Sequence, residues 1–302
     1  MSAGVVRIGT RGSTLALWQA SWVAERLRVE LPDHQVELVT VTTRGDVQAG
    51  PLTGAPGEIG FFTSEIETAL LEGRVDVAVH SLKDLPASDE GRIPVVAIPL
   101  RDDPRDVLVS RDGHLLSDLP RGARVGTSSP RRACLIRSRR PDVEIEPIRG
   151  NVDSRIQRVE EGLFDAVVLA AAGLARLGME DSISERFDPR LLPPAPGQGA
   201  LAVQSRADAD ALTDALIRLD DPAARRTSTA ERVCLQALGG GCSRPIGAHA
   251  RLEAGRLALN AFVGSEDGSR ILRAEVAGES PDELGEAVAA ELLRLGAAEL
   301  LA

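Results

Sequence analysis

The chain has 302 residues, 43% of them apolar, and a formal charge of −10 at pH 7. That length supports two or three packed domains, and the acidic balance excludes a protein that coats nucleic acid through a general basic surface. No apolar run reaches the roughly 18 residues of a membrane-spanning helix, so neither nucleic acid nor a membrane is expected as a partner.

In chain order, β-branched apolar runs alternate with helical patterns through residue 177, as in βαβ units. Strands are predicted near 5–9, 36–42, 75–79, 93–98, 106–110, 123–126, 143–148 and 165–170. Helices are predicted near 14–30, 64–73, 129–140, 152–162 and 174–177. The Pro- and Gly-rich stretch 192–199 reads as a crossover or hinge. A helix from about 222 to 238 follows, then the loop Gly239-Gly240-Gly241-Cys242. A hairpin turning at Ala254-Gly255, a strand near 270–276 and a helix from about 281 complete the pattern.

Two internal echoes organise these elements. Arg7-Ile8-Gly9-Thr10 returns as Arg124-Val125-Gly126-Thr127, and the run Glu72 to Val79 returns as Glu161 to Val168, in the same order. The expected fold is therefore α/β, with two similar lobes, a cleft between them and a small α+β third domain. The boundaries read as lobe one at 1–99 plus 198–218, lobe two at 100–197 and the third domain at 219–302. The echo also separates roles. After its strand the first half has His80-Ser81-Leu82-Lys83-Asp84, while the second has Leu169-Ala170-Ala171-Ala172-Gly173, an apolar wall.

Charge is unevenly placed. Residues 121–158 hold ten arginines against four acids, and Lys83 is the only lysine beside 34 arginines. An ammonium is a compact charge with a shiftable pKa, which a guanidinium is not. In open α/β folds ligands bind beyond the carboxyl ends of strands, where helix N-termini favour anions. Those loops carry Arg11 and Ser13; Thr127, Ser128, Ser129, Arg131 and Arg132; Arg149, Gly150 and Arg155; and Arg176. Arginine forks bind carboxylate or phosphate in pairs of hydrogen bonds, so this set points to a ligand with several negative groups. Arg137, Arg139 and Arg140, late in a helix, read as surface charges.

Asp84 beside Lys83 is a candidate proton-transfer group, with a helix N-cap as the simpler role. His80, directly after a buried strand, reads as structural. Cys242 lies in a glycine loop where something attached to its sulfur has room, while Cys134 and Cys234 read as core cysteines. Three cysteines, an odd set in a long chain, argue against a disulfide framework and for a reducing, cytoplasmic setting. The opening residues Met1 to Arg7 pass into a strand pattern without an apolar leader, in line with that setting. No Cys-x-x-Cys or His-x-x-x-His spacing supports a metal, and no hydrolase triad is apparent.

Taken together, several segments resemble the porphobilinogen deaminase (hydroxymethylbilane synthase) family. They are Arg7-Ile8-Gly9-Thr10-Arg11, Thr43-Arg44-Gly45-Asp46, Val79-His80-Ser81-Leu82-Lys83-Asp84-Leu85-Pro86 and Gly126-Thr127-Ser128-Ser129-Pro130-Arg131-Arg132. The match continues through Arg149-Gly150-Asn151-Val152, Leu192-Pro193 with Gly197-Gln198-Gly199-Ala200, and Gly240-Gly241-Cys242-Ser243-Arg244-Pro245-Ile246-Gly247. The resemblance implies periplasmic-binding-protein-like lobes and a transferase of porphyrin and heme biosynthesis. Four porphobilinogen molecules join head to tail, with loss of four ammonia, into linear 1-hydroxymethylbilane. Growth starts on a dipyrromethane cofactor joined by a thioether to Cys242.

Carried over by position, Asp84 is the catalytic carboxylate. Lys83, Ser13, Ser81, Thr127, Ser129, Arg131, Arg132 and Gly150 hold the cofactor. Arg11, Ser128, Arg149, Arg155, Arg176, Phe62 and Gln198 meet substrate. The product is expected to pass to uroporphyrinogen III synthase, and the expected state is a monomer. One departure stands out: Ile59 replaces a lysine that many relatives have in the loop Glu58 to Thr63, so no role of that lysine transfers. Two rival readings remain at this point. One is a non-catalytic anion-binding protein, and the other is a pyridoxal phosphate enzyme using Lys83 and the Thr127–Ser129 loop.

Overall fold

A computed structural model describes residues 4–43, 64–87, 93–206, 210–241 and 243–301. In chain order the elements begin with β1 (Val5–Thr10), α1 (Thr14–Glu30), β2 (Gln35–Thr40), α2 (Ser64–Leu71), β3 (Val77–Ser81) and β4 (Val95–Ala97). They continue with β5 (Asp106–Ser110), β6 (Arg124–Gly126), α3 (Pro130–Arg139), β7 (Glu144–Glu146), α4 (Val152–Glu160), β8 (Ala166–Ala170), α5 (Ala171–Arg176) and β9 (Glu185–Arg186). Next come β10 (Leu201–Ser205), α6 (Asp210–Ile217), α7 (Pro222–Ala237), β11 (Ile246–Glu253), β12 (Arg256–Gly264), β13 (Ile271–Gly278), α8 (Pro281–Arg294) and α9 (Ala297–Leu301). Two compact units result, Met1–Arg101 with Ala200–Arg225 and Asp102–Gly199 with Arg226–Ala302.

The first unit holds a sheet in the order β2-β1-β3-β10-β4, and the second holds one in the order β7-β6-β8-β5-β9. In each, the first three strands run parallel and the fourth runs antiparallel to both neighbours. The two sheets are one design built twice, in the α/β class expected. The echoed residues occupy matching places in it. The Arg7 N–H donates to Asp76 Oδ2 (2.9 Å), and the Asp76 N–H donates back to the Arg7 carbonyl (2.8 Å). Arg124 and Asp165 exchange the same two bonds at 2.7 and 2.9 Å. The shared glycine has a packing reason. A Cβ on Gly9 would lie 3.0 Å from Val75, and one on Gly126 would lie 3.0 Å from both Phe164 and Val167.

Apolar alternation decides which face each strand buries. Val6 and Ile8 of β1 join Val77 and Val79 of β3 against Ala20, Val23, Ala24 and Leu27 of α1. Ala78 points the other way, with Ile66 and Leu70 of α2. In the second unit, Val107, Val109, Val167 and Leu169 cover Ile156 and Val159 of α4. Leu108, Val125 and Val168 pack on Leu135 and Ile136 of α3. A third, antiparallel sheet in the order β11-β12-β13 lies in the same unit. Leu257, Leu259, Ala261 and Val263 face α7 and α8, while Phe262 turns the other way into the α3 core. That ring packs the small α+β part on the second lobe, beside backbone bonds such as the Ala248 N–H to the Pro194 carbonyl (3.0 Å). Among the described residues no helix is long and apolar enough to cross a membrane.

Several elements differ from the sequence expectation, the two-residue β9 among them. β10 was absent from it because all five residues of Leu201–Ser205 are buried, so neither a polar alternation nor a helical stripe marks the strand. The short α6 that follows β10 was also unread. α5 starts at Ala171 and not near 174, because β8 runs straight into it with no spacer.

Replacing Phe262 by Ala should cost about 3–5 kcal/mol, the usual range for emptying a fully buried aromatic site. Urea denaturation of the two proteins checks this, and an unchanged midpoint would show that the ring does not carry the joint.

Candidate active site

Strand β3 ends at Ser81, and Leu82–Asp84 then make one turn of 3₁₀ helix. Leu82 is buried and its N–H donates to the Ala200 carbonyl (3.0 Å), which pins the turn to the chain entering β10. Asp84 is consequently held exposed at the carboxyl end of the sheet, with Lys83 half-buried beside it. Asp84 is part of the turn itself and does not cap a following helix.

Arg11, Ser13, Gln19, His80, Ser81 and Asp84 line one pocket of the first unit, with apolar contributions from α1 and β3. Lys83 belongs to the same turn but not to this lining. Ser13 caps α1, its Oγ accepting from the Ala16 N–H (3.3 Å). Gln19, buried on α1, donates from Nε2 to Ser81 Oγ (2.9 Å) and so orients that hydroxyl. Nothing in the sequence singled out Gln19. Its partner lies 62 positions away, and only the packing of α1 on β3 brings them together.

In the second unit the cations gather around one carboxylate. Thr127, Ser128 and Ser129 shape the loop after β6. Thr127 Oγ1 accepts from the Ser129 N–H (3.2 Å), Ser128 Oγ donates to the Ile148 carbonyl (2.8 Å), and Ser129 caps α3. This start aims Arg131 and Arg132 inward, where both are buried. Arg131 Nη1 donates to Asp106 Oδ2 (2.5 Å) and to the Pro193 carbonyl (3.0 Å). Arg132 donates from Nε and Nη2 to Asp106 Oδ1 (3.0 and 2.7 Å) and from Nη1 to the Val168 carbonyl (2.9 Å). Gln198 Nε2 adds a fourth bond to the carboxylate, at Oδ1 (2.9 Å). Burial alone would raise the Asp106 carboxyl, but the charges of Arg131 and Arg132 outweigh that and hold it far below the usual range.

Arg176 is also buried. Its Nε donates to Asp102 Oδ2 and its Nη2 to the Gly199 carbonyl, both at 2.8 Å. Burial lowers its pKa, with Asp102 opposing. Arg155 differs. Its Nε donates to the Gly150 carbonyl (2.8 Å), and its pKa is lowered to about 10, first by burial and then by Arg132, Arg158 and Arg149. Among the described residues no carboxylate pairs with Arg149, Arg155 or Arg158. Arg155 thus lies near Arg149 and Arg158, none of the three paired with an acid, and near Arg132, which shares Asp106 with Arg131, and such a cluster calls for a polyanionic ligand.

The family model for "Porphobilinogen deaminase, dipyromethane cofactor binding domain" matches residues 6–214, and that for "Porphobilinogen deaminase, C-terminal domain" matches residues 225–294. The chain belongs to the porphobilinogen deaminase family. Curated members share its full length. The porphobilinogen deaminase of Mycolicibacterium paratuberculosis is 48% identical over 308 residues, covering 98% of this chain and 96% of that protein. That of Roseiflexus castenholzii is 48% identical over 297 residues, covering 98% of each. That of Deinococcus radiodurans is 44% identical over 301 residues, covering 98% and 97%. Among solved structures, the BvgS VFT2 domain of Bordetella pertussis is 17% identical and covers 72% of this chain and 85% of that one, with a TM-score of 0.44. The fold assignment rests on the sheet topology and not on that overlap.

The chemistry of a dipyrromethane fits the residues present, since each of its pyrroles bears an acetate and a propionate and Arg155, with Arg149 and Arg158 near it, has no paired acid among the described residues. Two positions named for the porphobilinogen deaminase family, Phe62 and Cys242, lie outside the described residues, as does Ile59. Asp106 was read from sequence only as the start of a strand, though a buried aspartate opening an apolar run was a usable signal.

His80 sits in the pocket wall with its Nε2 buried and without a hydrogen-bond partner among the described residues. Burial, and then Arg11, lower its pKa to about 4 from an ordinary 6.5. The folded chain therefore holds this proton more weakly than the unfolded chain. The contribution is full above pH 6.5 and is lost as pH falls toward 4, amounting to about 3 kcal/mol at most. In stability measured across that window, His80→Asn should flatten the acid-side fall relative to the parent chain. An identical slope in both would remove His80 as its source.

Proposed function

We propose that this chain joins four porphobilinogen molecules head to tail into linear 1-hydroxymethylbilane, releasing four ammonia, the transferase activity of its family in tetrapyrrole synthesis. The observation that carries the reading is the cluster of Arg149, Arg155 and Arg158, unpaired with any acid among the described residues and close to Arg132, in a family member. A ligand that adds an acetate and a propionate at every step needs such a surface. A dipyrromethane primer, when bound, would supply the free pyrrole α-carbon for the first coupling, and each added unit would then offer its own.

The residues then divide the work. Asp84, exposed at the end of the β3 turn, faces the reacting pyrrole. A fixed carboxylate there stabilises positive charge at the pyrrole N–H as the amine departs. The same oxygens take the α-proton after coupling. Arg11, Ser13, Ser81 and Lys83 bind carboxylates on the Asp84 side, and the Gln19 bond keeps the Ser81 hydroxyl in place. Arg131, Arg132, Arg149, Arg155 and Arg176, with Thr127, Ser128, Ser129, Gly150 and Gln198, bind the primer and the growing chain. Each charge-assisted bond is worth about 1.5–3 kcal/mol. Phe62 stacks on a pyrrole ring in this reading.

Cys242, in the loop after Gly239–Gly241, carries the primer through a thioether. The burial that pushes Cys234 up to about 12 and Cys134 up to about 11 leaves those thiols poorly suited to that task. The parse into lobe one (1–99 with 198–218), lobe two (100–197) and a third domain (219–302) belongs to the same proposal. So do a monomeric state, a cytoplasmic location and passage of the product to uroporphyrinogen III synthase. The sparse cysteines and the absence of a spanning helix among the described residues agree with that setting.

Intact-mass measurement of the purified protein should show an adduct of two pyrrole units, absent from Cys242→Ser. An active chain of unmodified mass would overturn the thioether assignment. Asp84→Ala should keep the adduct and lose at least about a hundredfold in turnover, as expected for removal of a proton-transfer group. A normal rate in that variant would take Asp84 out of the mechanism.

A further inference from the structure

The buried arginines of the second unit meet at one short turn. Ala195 to Gly199 is closed by the Gln198 N–H donating to the Ala195 carbonyl (2.9 Å), with Gly197 at φ +75° and Gly199 at φ +88°. Three consecutive residues each hold something different. The Gly197 N–H donates to Glu231 Oε2 (2.7 Å). Gln198 Nε2 donates to Asp106 Oδ1 (2.9 Å) and to the Pro104 carbonyl (2.8 Å). The Gly199 carbonyl accepts from Arg176 Nη2 (2.8 Å) and from the Asp102 N–H (3.2 Å). Gly199 also fits where nothing larger does, since a Cβ there would lie 2.5 Å from the Asp102 carbonyl oxygen.

Glu231 comes from α7, whose neighbours Ala230 and Cys234 fill the core of the third sheet. It is itself wholly buried, and its second oxygen accepts from the Ala250 N–H of β11 (2.8 Å). A carboxylate buried in a helix facing an apolar core is costly unless its oxygens are well bonded. Satisfying two backbone N–H groups explains why a hydrogen-bonding side chain is useful there. It does not explain why one of the two belongs to the turn that holds Gln198 on Asp106 and a carbonyl on Arg176.

We propose that Glu231 is a positioning residue for substrate binding. By fixing the Gly197 N–H it holds the turn in the one conformation that seats Gln198 against the Arg131–Asp106–Arg132 group and presents the Gly199 carbonyl to Arg176. The small sheet part thereby controls the geometry of the anion-binding arginines without touching the ligand. This rests on the reading that those arginines take pyrrole carboxylates.

In Glu231→Gln one accepting oxygen becomes an NH2 group facing a backbone N–H, so one of the two clamps is lost. The variant should raise KM for porphobilinogen about tenfold with kcat within about twofold, the pattern of lost binding and not of lost chemistry. Amide exchange at Gly197 should quicken. The Nε–H resonances of Arg132 and Arg176 should shift, a change that a purely structural role would not produce. Gln198→Ala should weaken binding similarly, and the double variant should be much less than multiplicative, because both changes release one turn. Independent, multiplicative effects, or an unchanged KM in a folded Glu231→Gln protein, overturn the proposal. If Glu231→Gln does not fold, Glu231→Asp carries the same comparisons. Should the parent chain fail to consume porphobilinogen, the functional reading fails, and the exchange and Nε–H readouts still decide the clamp. No change in them sinks it.

Discussion

Two guanidinium groups cannot be buried side by side without an anion between them, and in this chain that anion is Asp106. Its two oxygens receive Arg131, Arg132 and Gln198, and the side chain is almost wholly shielded. The interaction has two products. It makes the interior placement of α3's first turn tolerable, and it leaves the group with one net positive charge, since one carboxylate balances only one of two arginines. Burial weakens Arg155's hold on its proton, and the Arg132 charge adds to that effect. The second lobe is thus built around a pre-arranged deficit of negative charge.

The two lobes use one frame for opposite purposes. After β3 the chain makes a polar turn ending on Asp84. After the corresponding β8 it enters a helix of Ala171, Ala172 and Gly173, and the polar groups come instead from the loops after β6 and β7. Duplication of the Arg–Asp pairs at Arg7–Asp76 and Arg124–Asp165 keeps the strand ends alike. The loops beyond them are then free to differ, as expected where a rigid scaffold carries variable functional segments.

Much of this was legible in the sequence, and the parts that were not share a physical cause. Asp84, the serine-bearing turns after β1 and β6 and the strand-end arginines announce themselves through neighbours a few positions away. The echo of Arg7–Thr10 in Arg124–Thr127 gave the repeated lobe. Asp106, Gln19 and Glu231 were passed over because each acts through partners from 19 to 92 positions distant, and single-residue chemistry is silent about such pairings. β10 escaped for another reason, since a strand buried on both faces shows no period at all.

The place of β10 in the first sheet has a temporal side. Every strand of the second lobe's sheet lies between Asp106 and Arg186, so the sheet has all its parts once that stretch has left the ribosome. The first sheet has to wait for Leu201–Ser205, because β10 separates β3 from β4 and is the only neighbour β4 has among the described strands. Synthesis from the N-terminus therefore delivers the lobe bearing Asp84 first and completes it second. The Asp84 carboxylate reaches its final setting only after the second sheet can already have formed.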